Sequence, residues 1–215
     1  STGNLINATF VSGVNKPSGM AFDKAGHLYV ANQGGVKNTV SEFDTNGTLI
    51  TDSFIPGLNT PEGLAFDTNG NFFVVNSGDN QALEFDSSGQ NLIRTISSTN
   101  FDHPIGVAFD RSGNFYVANR HNGLVLKFDS GGNPVNGGIF ASNLDDPEDL
   151  AFDSLGRLYV ASLTDDTVSQ FDADGHLLNA NFASGLNQPI GVAFDNDGNL
   201  YVANSGGNTA SKFSS

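Results

Sequence analysis

A phrase that ends in Ala-Phe-Asp recurs five times along the chain at an almost constant interval. Its phenylalanine occupies positions 22, 66, 109, 152 and 194, so the intervals are 44, 43, 43 and 42 residues. A second phenylalanine, which usually precedes aspartate, occupies positions 43, 85, 128, 171 and 213, with intervals of 42, 43, 43 and 42 residues. Because two separate markers keep the same period, the chain is a tandem repeat, and this period restricts the fold to a few repeat architectures.

Each unit reads as four short strands separated by turns. In the second unit, residues 63–67, 71–76, 81–86 and 91–96 are rich in Val, Phe, Leu and Ile, and turn residues such as Asp, Asn, Ser and Gly lie between them. Such runs predict antiparallel strands, and no window has the sustained periodicity of a helix. Four strands in a unit of about 40–45 residues are typical of one blade of a β-propeller.

The sequence therefore predicts an all-β fold, a five-bladed β-propeller of four-stranded antiparallel blades. It forms a single domain over residues 1–215, with repeats at roughly 14–59, 60–102, 103–146, 147–188 and 189–215 plus 1–13. The fifth unit stops after its third strand, whereas residues 4–13 are similar to the fourth-strand segments of the other units. We expect residues 4–12 to pair with residues 208–214, so that an N-terminal strand completes the last blade and closes the ring.

Composition narrows the range of partners. The chain has 23 Asp and Glu residues against 9 Lys and Arg residues, so its formal net charge is −14. A negative field of this size repels phosphate backbones and anionic lipids, and we expect neither nucleic acid nor membrane as a partner. No apolar run is long enough to span a bilayer, and cysteine is absent from the sequence. We expect a monomeric, secreted or cell-surface protein of bacterial type.

Nine aspartates lie at predicted turns, which explains them without any ligand. Each is followed three residues later by a glycine that can adopt positive φ, while the aspartate accepts hydrogen bonds from the turn backbone. They follow the first or the third strand of a unit: Asp23, Asp44, Asp67, Asp86, Asp110, Asp129, Asp153, Asp172 and Asp195. An EF-hand calcium loop is a poor alternative, because the glutamate at its twelfth position and the flanking helices are missing.

Strand order places these turns on one face of the propeller, here called the bottom face. The segments before the first strands and the loops between second and third strands form the opposite top face. Since first strands line the central channel of a propeller, the residue after each unit's first-strand proline is expected at the channel mouth. In chain order these five residues are Ser18, Glu62, Ile105, Glu148 and Ile190. The two glutamates are either cation ligands or solvated residues of the rim.

Two further groups of polar residues belong to the top face. Arg120, His103 and His121 lie at the top of the third unit, and with Glu148 of the next unit they form a candidate acid–base or ligand-binding cluster. The alternative is that two histidines fall in one blade by chance. The second strands end in four asparagines that form either a ring of ligand contacts or a set of bonds to loop backbone: Asn32, Asn76, Asn119 and Asn204.

The repeated phrase P-x-G-[hydrophobic]-A-F-D, followed by G-x-[LF]-[YF]-V-A-N and F-D, resembles the NHL-repeat family of β-propellers over essentially the whole chain. This resemblance implies the propeller fold and says little about activity. NHL repeats usually carry a basic residue just before the apolar position of the third strand. That place is occupied here by Thr39, Gln81, Leu124, Thr167 and Thr209. The basic face used by RNA-binding NHL domains is therefore not expected.

The phrases "PEG" at residues 61–63 and "PED" at 147–149 are more distantly similar to ligand positions of gluconolactonase/regucalcin-type propellers. That resemblance implies a divalent metal at the channel mouth, with Glu62 and Glu148 as ligands and Ser18 and Asp149 as weaker contributors. Ile105 and Ile190 occupy positions that would need to be polar. Because calcium prefers six to eight oxygen ligands, the expectation is either no cofactor or a weakly bound calcium ion.

Near-uniform blades favour a non-catalytic, extracellular binding or scaffold module with a protein or carbohydrate ligand on the top face. An enzyme places different groups at one spot, so its blades tend to diverge there, and no catalytic residue is assigned. One alternative is a metal-dependent hydrolase or lyase of gluconolactonase type, acting at the channel mouth. The other is a designed or consensus-like repeat protein without activity.

Overall fold

The computed structural model of the chain describes residues 6–34 and 38–214. In this part of the chain, nineteen strands form five antiparallel sheets, and the only helix is a short 3-10 turn at Ser77–Asp79. No helix among these residues is long and apolar enough to cross a membrane. The predicted fold is confirmed, and the protein is a five-bladed β-propeller.

Each blade is one sheet whose strands follow chain order. Blade 1 contains β1 (Pro17–Phe22), β2 (Leu28–Asn32), β3 (Thr39–Phe43) and β4 (Leu49–Ile55). Blade 2 contains β5 (Pro61–Phe66), β6 (Phe72–Asn76), β7 (Gln81–Phe85) and β8 (Leu92–Ser97). Blade 3 contains β9 (Pro104–Phe109), β10 (Phe115–Asn119), β11 (Leu124–Phe128) and β12 (Pro134–Ala141). Blade 4 contains β13 (Pro147–Phe152), β14 (Leu158–Ser162), β15 (Thr167–Phe171) and β16 (Leu177–Ala183), and blade 5 contains β17 (Pro189–Phe194), β18 (Leu200–Asn204) and β19 (Thr209–Phe213).

The nine predicted turn aspartates all cap the turns that follow first and third strands. In the turn after β9, for example, Asp110 Oδ1 accepts the backbone N–H groups of Ser112 and Asn114, each at 2.9 Å. The glycine three residues after the aspartate has positive φ, as at Gly113, where φ is 82°. The bottom face of the propeller therefore consists of turns that are stabilised by hydrogen bonds within each turn.

The core lies between the blades. Leu64 and Phe66 of the first strand of blade 2 pack against Tyr29 and Ala31 of blade 1, and the same repeat positions meet at the next three blade-to-blade contacts. Stacking on both sides explains why a second strand such as β6 is buried at all five residues. Burial of aromatic and aliphatic side chains between sheets is the main stabilising term of this fold.

Glycines in the first strands allow neighbouring blades to approach closely around the channel. A Cβ atom added at Gly106 would lie 2.7 Å from the carbonyl oxygen of Glu148 and 2.9 Å from Asp149 Cα. Since both contacts are with backbone atoms, a side chain here would push the first strands of blades 3 and 4 apart. The glycines thus fix the spacing of the residues at the channel mouth.

The predicted ring closure is not confirmed by the described residues. Residues 6–12 form turns and bends without a strand, and blade 5 is a three-stranded sheet; residues 4 and 5 lie outside the described part. Val11 and Val14 instead pack against Leu28, Val30 and Phe43 of blade 1. The N-terminal segment therefore occupies, on blade 1, the place that the end of a preceding fourth strand occupies on the other blades.

Candidate functional site at the channel mouth

The top face is built by pairing each loop after a second strand with the segment before the first strand of the same blade. In blade 3, the N–H of Arg120 donates to the carbonyl of His103 at 3.1 Å, and equivalent bonds occur in every blade. The residue before each first-strand proline has positive φ although it is not glycine: Lys16, Thr60, His103, Asp146 and Gln188. Because such residues prefer extended conformations before proline, the backbone bonds hold this bend in place.

The four asparagines at the ends of the second strands are buried and act within the fold. In blade 2, Asn76 Oδ1 accepts the N–H of Asn59 at 2.7 Å, and the same bond to a residue seventeen positions upstream recurs in blades 1, 3 and 5. Ligand binding by these asparagines remains a prediction. Their amide groups, however, already satisfy loop backbone beneath the top face, so a ligand on that face would contact other residues first.

Blade 4 breaks this series, since Ser162 replaces the asparagine and its buried hydroxyl has no hydrogen-bond partner. We expect Ser162→Asn to raise the free energy of unfolding by about 1 kcal/mol. The longer amide would reach the N–H of residue 145 and Ser169 Oγ, as its counterparts do in blades 1 and 5. Urea unfolding measures the difference, and Ser162→Ala is the matched control. A variant less stable than wild type would contradict this expectation.

The five predicted mouth residues differ in exposure. Ser18 and Ile190 are exposed, Ile105 and Glu62 are half-buried, and Glu148 is buried. The Ser18 hydroxyl donates to the carbonyl of Pro61 at 2.8 Å, so it joins blade 1 to blade 2 at the rim. Of the five mouth residues, only the two glutamates therefore have a carboxylate that could bind a cation. The two isoleucines have no polar side-chain atom, and the Ser18 hydroxyl is already used in a hydrogen bond.

Glu148 is paired with the arginine of the neighbouring blade. Arg120 Nε lies 3.1 Å from Glu148 Oε1, although the angle is too poor for a hydrogen bond. Burial raises the pKa of Glu148, and the positive charge of Arg120 opposes that increase. The predicted association of Arg120 with Glu148 is therefore present, and the guanidinium already supplies a cation to this carboxylate.

Glu62 is the second carboxylate at the mouth. Burial raises its pKa to about 7; a hydrogen bond from the Gln33 side chain and the charge of Arg120 lower it, whereas Glu148 raises it. Among the described residues no cationic side chain forms an ion pair with Glu62. A half-buried carboxyl group that titrates near neutral pH without a charge partner is a candidate functional group.

Asp149 stands where the other four blades have glycine in the first strand. Its Oδ2 accepts the N–H of Val192 at 2.9 Å, which links blade 4 to blade 5 inside the channel. Burial raises the pKa of Asp149 to about 6, and backbone hydrogen bonds oppose that increase. Because one carboxylate oxygen already serves this link, Asp149 joins the wall of the channel rather than presenting a free ligand.

The two histidines of blade 3 come together as the sequence predicts. The rings of His103 and His121 stack with centroids 4.5 Å apart, and His121 Nδ1 lies 3.4 Å from Asp102 Oδ1. Burial, His121 and Arg120 lower the pKa of His103 and Asp102 opposes them, so the neutral form of this imidazole is favoured. Arg120, with its charge felt by His103, Glu62 and Glu148 alike, is at the centre of the cluster.

Two features of the bottom face were not singled out from the sequence. Ligand atoms of Asp172, Asp174 and His176 lie within 4.8 Å of one another in the turn after β15, and the spacing D-x-D-x-H would have revealed this group. A cavity of about 820 Å³ opens among the bottom turns of blades 3, 4 and 5, over Phe109 and Phe152. The acidic group and the lining of the cavity consist largely of residues of the bottom turns. Hydrogen bonds within those turns account for these residues without a ligand.

A family model for the NHL repeat matches residues 101–128 and 186–210. These segments contain the first two strands and at least the start of the third strand in blades 3 and 5, and the remaining blades repeat the same strand order. The protein is a β-propeller with NHL repeats in blades 3 and 5, and it is here called an NHL-type propeller. No curated protein sequence matches this NHL-type propeller significantly.

Solved structures with the same fold include both binding proteins and enzymes. A chain of a nidogen/laminin complex has a TM-score of 0.79 at 21% identity, with 94% of the NHL-type propeller and 76% of that chain covered. A virginiamycin B lyase from Staphylococcus aureus has a TM-score of 0.73 at 11% identity, covering 92% and 69%. A gluconolactonase from Xanthomonas campestris has a TM-score of 0.70 at 19% identity, covering 91% and 71%. At these identities the likeness concerns the fold alone.

The chemistry available at the mouth of the NHL-type propeller follows from its charges. Glu148 and Arg120 neutralise each other, the neutral form of His103 is favoured, and Glu62 changes its charge near neutral pH. A positively charged group that enters the mouth would find one carboxylate free to ionise against it. A metal ion would find the same single carboxylate, with Glu148 accessible only if Arg120 moved away.

Proposed function

We propose that the protein is a non-catalytic binding module that holds a positively charged amino group of a protein or peptide ligand at the channel mouth. The observation that carries this proposal is the half-buried Glu62, which has no cationic partner among the described residues, beside Glu148, which has one. One carboxylate suffices for an ammonium group, because the other donors of that group can reach water or carbonyl oxygens. It does not supply the six to eight oxygens that calcium prefers.

Electrostatics outside the mouth support a cationic ligand. The net charge of −14 attracts positively charged partners and speeds their encounter at low ionic strength. A bound ammonium group would stabilise the ionised form of Glu62 and so lower its pKa from about 7. Ligand binding and proton release are therefore coupled in this proposal.

The test uses a short peptide of alternating lysine and alanine, titrated by calorimetry in low salt. We expect its affinity to rise about tenfold between pH 6 and pH 8, because Glu62 must lose a proton to bind. Glu62→Gln should abolish most of the binding. The matched control is Asp197→Asn, which removes one charge from an exposed bottom-face residue and should leave the affinity nearly unchanged.

Equal losses in Glu62→Gln and Asp197→Asn would show attraction to the whole acidic surface and would reject the mouth as the site. Calcium chloride forms a second arm of the titration. Calcium binding that Glu62→Gln and Glu148→Gln each abolish would support the metal site implied by the gluconolactonase resemblance instead.

A second candidate function rests on the stacked histidines. His103 favours its neutral form and lies within the electrostatic reach of Arg120, and Glu62 has the pKa of a general base near neutral pH. This combination would suit a lyase or hydrolase, and the structural neighbours include a lyase solved with quinupristin and a gluconolactonase. Incubation with quinupristin or with gluconolactone, followed by mass spectrometry, distinguishes an enzyme from a binding module.

A further inference from the structure

Three side chains in the lining of the bottom cavity take no part in the hydrogen bonds of the turns. They are Arg111 in the turn after β9, Lys127 in β11 and Leu155 in the turn after β13. All three belong to blades 3 and 4, and each of these blades packs against a described blade on both sides. The cavity of about 820 Å³ is large enough to hold a small organic molecule.

Arg111 and Lys127 are the unpaired cations of this cavity. Neither forms an ion pair among the described residues, whereas the other three arginines of the chain each do. The Lys127 ammonium lies 5.1 Å from the centre of the Tyr116 ring, and this contact holds the charge at the cavity wall without neutralising it. Blade 3 is the only blade whose sequence has a basic residue at both of these repeat positions.

The aspartates that begin the turns of this lining are already occupied. Asp110 Oδ2 accepts a hydrogen bond from Asn114 Nδ2 at 2.7 Å, and Asp153 Oδ2 accepts one from Arg157 Nε at 2.6 Å. The corresponding aspartate of blade 5 also accepts bonds from within its turn. The remaining carboxylate of the lining is that of Asp197, on the blade 5 side. A bound anion would therefore not compete with the turn aspartates for the two cations.

Apolar side chains line the same cavity. Phe109 and Phe152 are half-buried there, and Leu155 is 76% exposed. The residues at the position of Leu155 in the other blades are small or polar: Ala25, Asn69, Ser112 and Asp197. A ligand with an apolar body that covers Leu155 would remove apolar surface of both partners from water, which favours binding.

We infer that the bottom cavity binds an amphipathic carboxylate, which is an ionised carboxyl group on an apolar chain or ring. Arg111 and Lys127 hold the carboxyl group, and the apolar part lies against Phe109, Phe152 and Leu155. Arginine can bind a carboxylate through two parallel hydrogen bonds, and lysine adds a second positive charge. The net charge of −14 opposes an anion at long range, so moderate salt should strengthen binding, because it screens distant charges more than bonded ones.

The test measures the binding of octanoate by calorimetry at neutral pH and about 0.15 M salt, with octanol as the uncharged control. We expect octanoate to bind at least about tenfold more tightly than octanol, the factor expected from one hydrogen bond to a charged group. Arg111→Thr and Lys127→Gln introduce the residue types that blades 2 and 4 have at these positions. Each should weaken octanoate binding about tenfold and leave octanol binding unchanged, whereas Leu155→Asn should weaken the binding of both.

Lys24→Thr is the matched control for Arg111→Thr, because Lys24 has the same repeat position in blade 1 and is not part of the cavity lining. It should leave octanoate binding unchanged, and so should Glu62→Gln on the opposite face. An equal loss in Lys24→Thr would show a general effect of charge and overturn the inference. A loss in Glu62→Gln would place octanoate at the channel mouth and overturn it as well.

The wild type alone also provides a decisive result. Equal affinities for octanoate and octanol would show that the two cations hold no carboxyl group, and an absence of octanoate binding would show that the cavity does not take this class of ligand. Either result would overturn the inference even if a variant failed to fold. The melting temperature of each variant verifies its folding.

Discussion

Replacing Leu64 with alanine should lower the free energy of unfolding by about 2–5 kcal/mol. Leu64 is buried between blades 1 and 2 against Tyr29 and Ala31, so its removal leaves a cavity in a packed apolar layer. Met20→Ala at the same position of blade 1 should cost less than about 1 kcal/mol, because Met20 is largely exposed. Urea unfolding in dilute solution, where association is negligible, measures both values.

This matched pair also tests the shape of the single chain. If the ring were closed by contact between blades 5 and 1, Met20 would be packed as Leu64 is, and the two substitutions would cost similar amounts. Equal losses would therefore contradict the exposed position of Met20 in blade 1.

The second large effect is a loss of stability as the pH rises from about 4 to 8. Burial raises the folded-state pKa of Glu62 to about 7 and that of Asp149 to about 6, above their values in the unfolded chain. Both groups then hold protons in the folded state that the unfolded chain has released, so their contribution is complete at low pH and is lost as the pH passes 6 and 7. We expect a decrease of about 2–4 kcal/mol in the free energy of unfolding.

A second loss of stability is expected at much lower pH. Hydrogen bonds in the bottom turns lower the pKa of Asp86 and Asp195 to about 2, so their contribution is lost as the pH falls through that value. Stability should therefore be greatest near pH 4. Unfolding curves between pH 2 and pH 9 provide the measurement. Glu62→Gln should reduce only the loss of stability above pH 4, and Asp86→Asn should change only the loss of stability at acidic pH. A free energy of unfolding that is greatest at pH 7 or above would contradict the pKa shifts of Glu62 and Asp149.

Much of the fold could be predicted because the repeat marks strand ends directly. The two phenylalanine series used as markers turn out to be the last residues of the first and third strands in all five blades. The roles of the turn aspartates could also be predicted, since the N–H groups that they bind lie within a few residues in the chain. Hydrogen bonds between residues close in sequence can be predicted from a short sequence pattern without knowledge of the tertiary structure.

The candidate site could be predicted only in part from the sequence. Glu62 and Glu148 share a repeat position, but among the described residues only Glu148 has a cationic partner, because Arg120 follows the second strand of blade 3 where the corresponding residues are Gln33, Ser77, Leu163 and Ser205. The burial of the asparagines depends on bonds to residues seventeen positions away, which no short phrase reveals.

The interface between neighbouring blades has a consequence for how such a chain can vary. Each contact uses the same few repeat positions, with an aromatic and two small or β-branched residues on one side and an aliphatic and a phenylalanine on the other. In this apolar layer no described residue specifies which blade must follow, whereas the polar contacts of Arg120 with Glu148 and of Asp149 with Val192 are specific to blades 3 to 5. The apolar packing is therefore interchangeable, so a unit can be duplicated, deleted or moved without changing it, and a new binding surface can arise by rearranging the order of existing units.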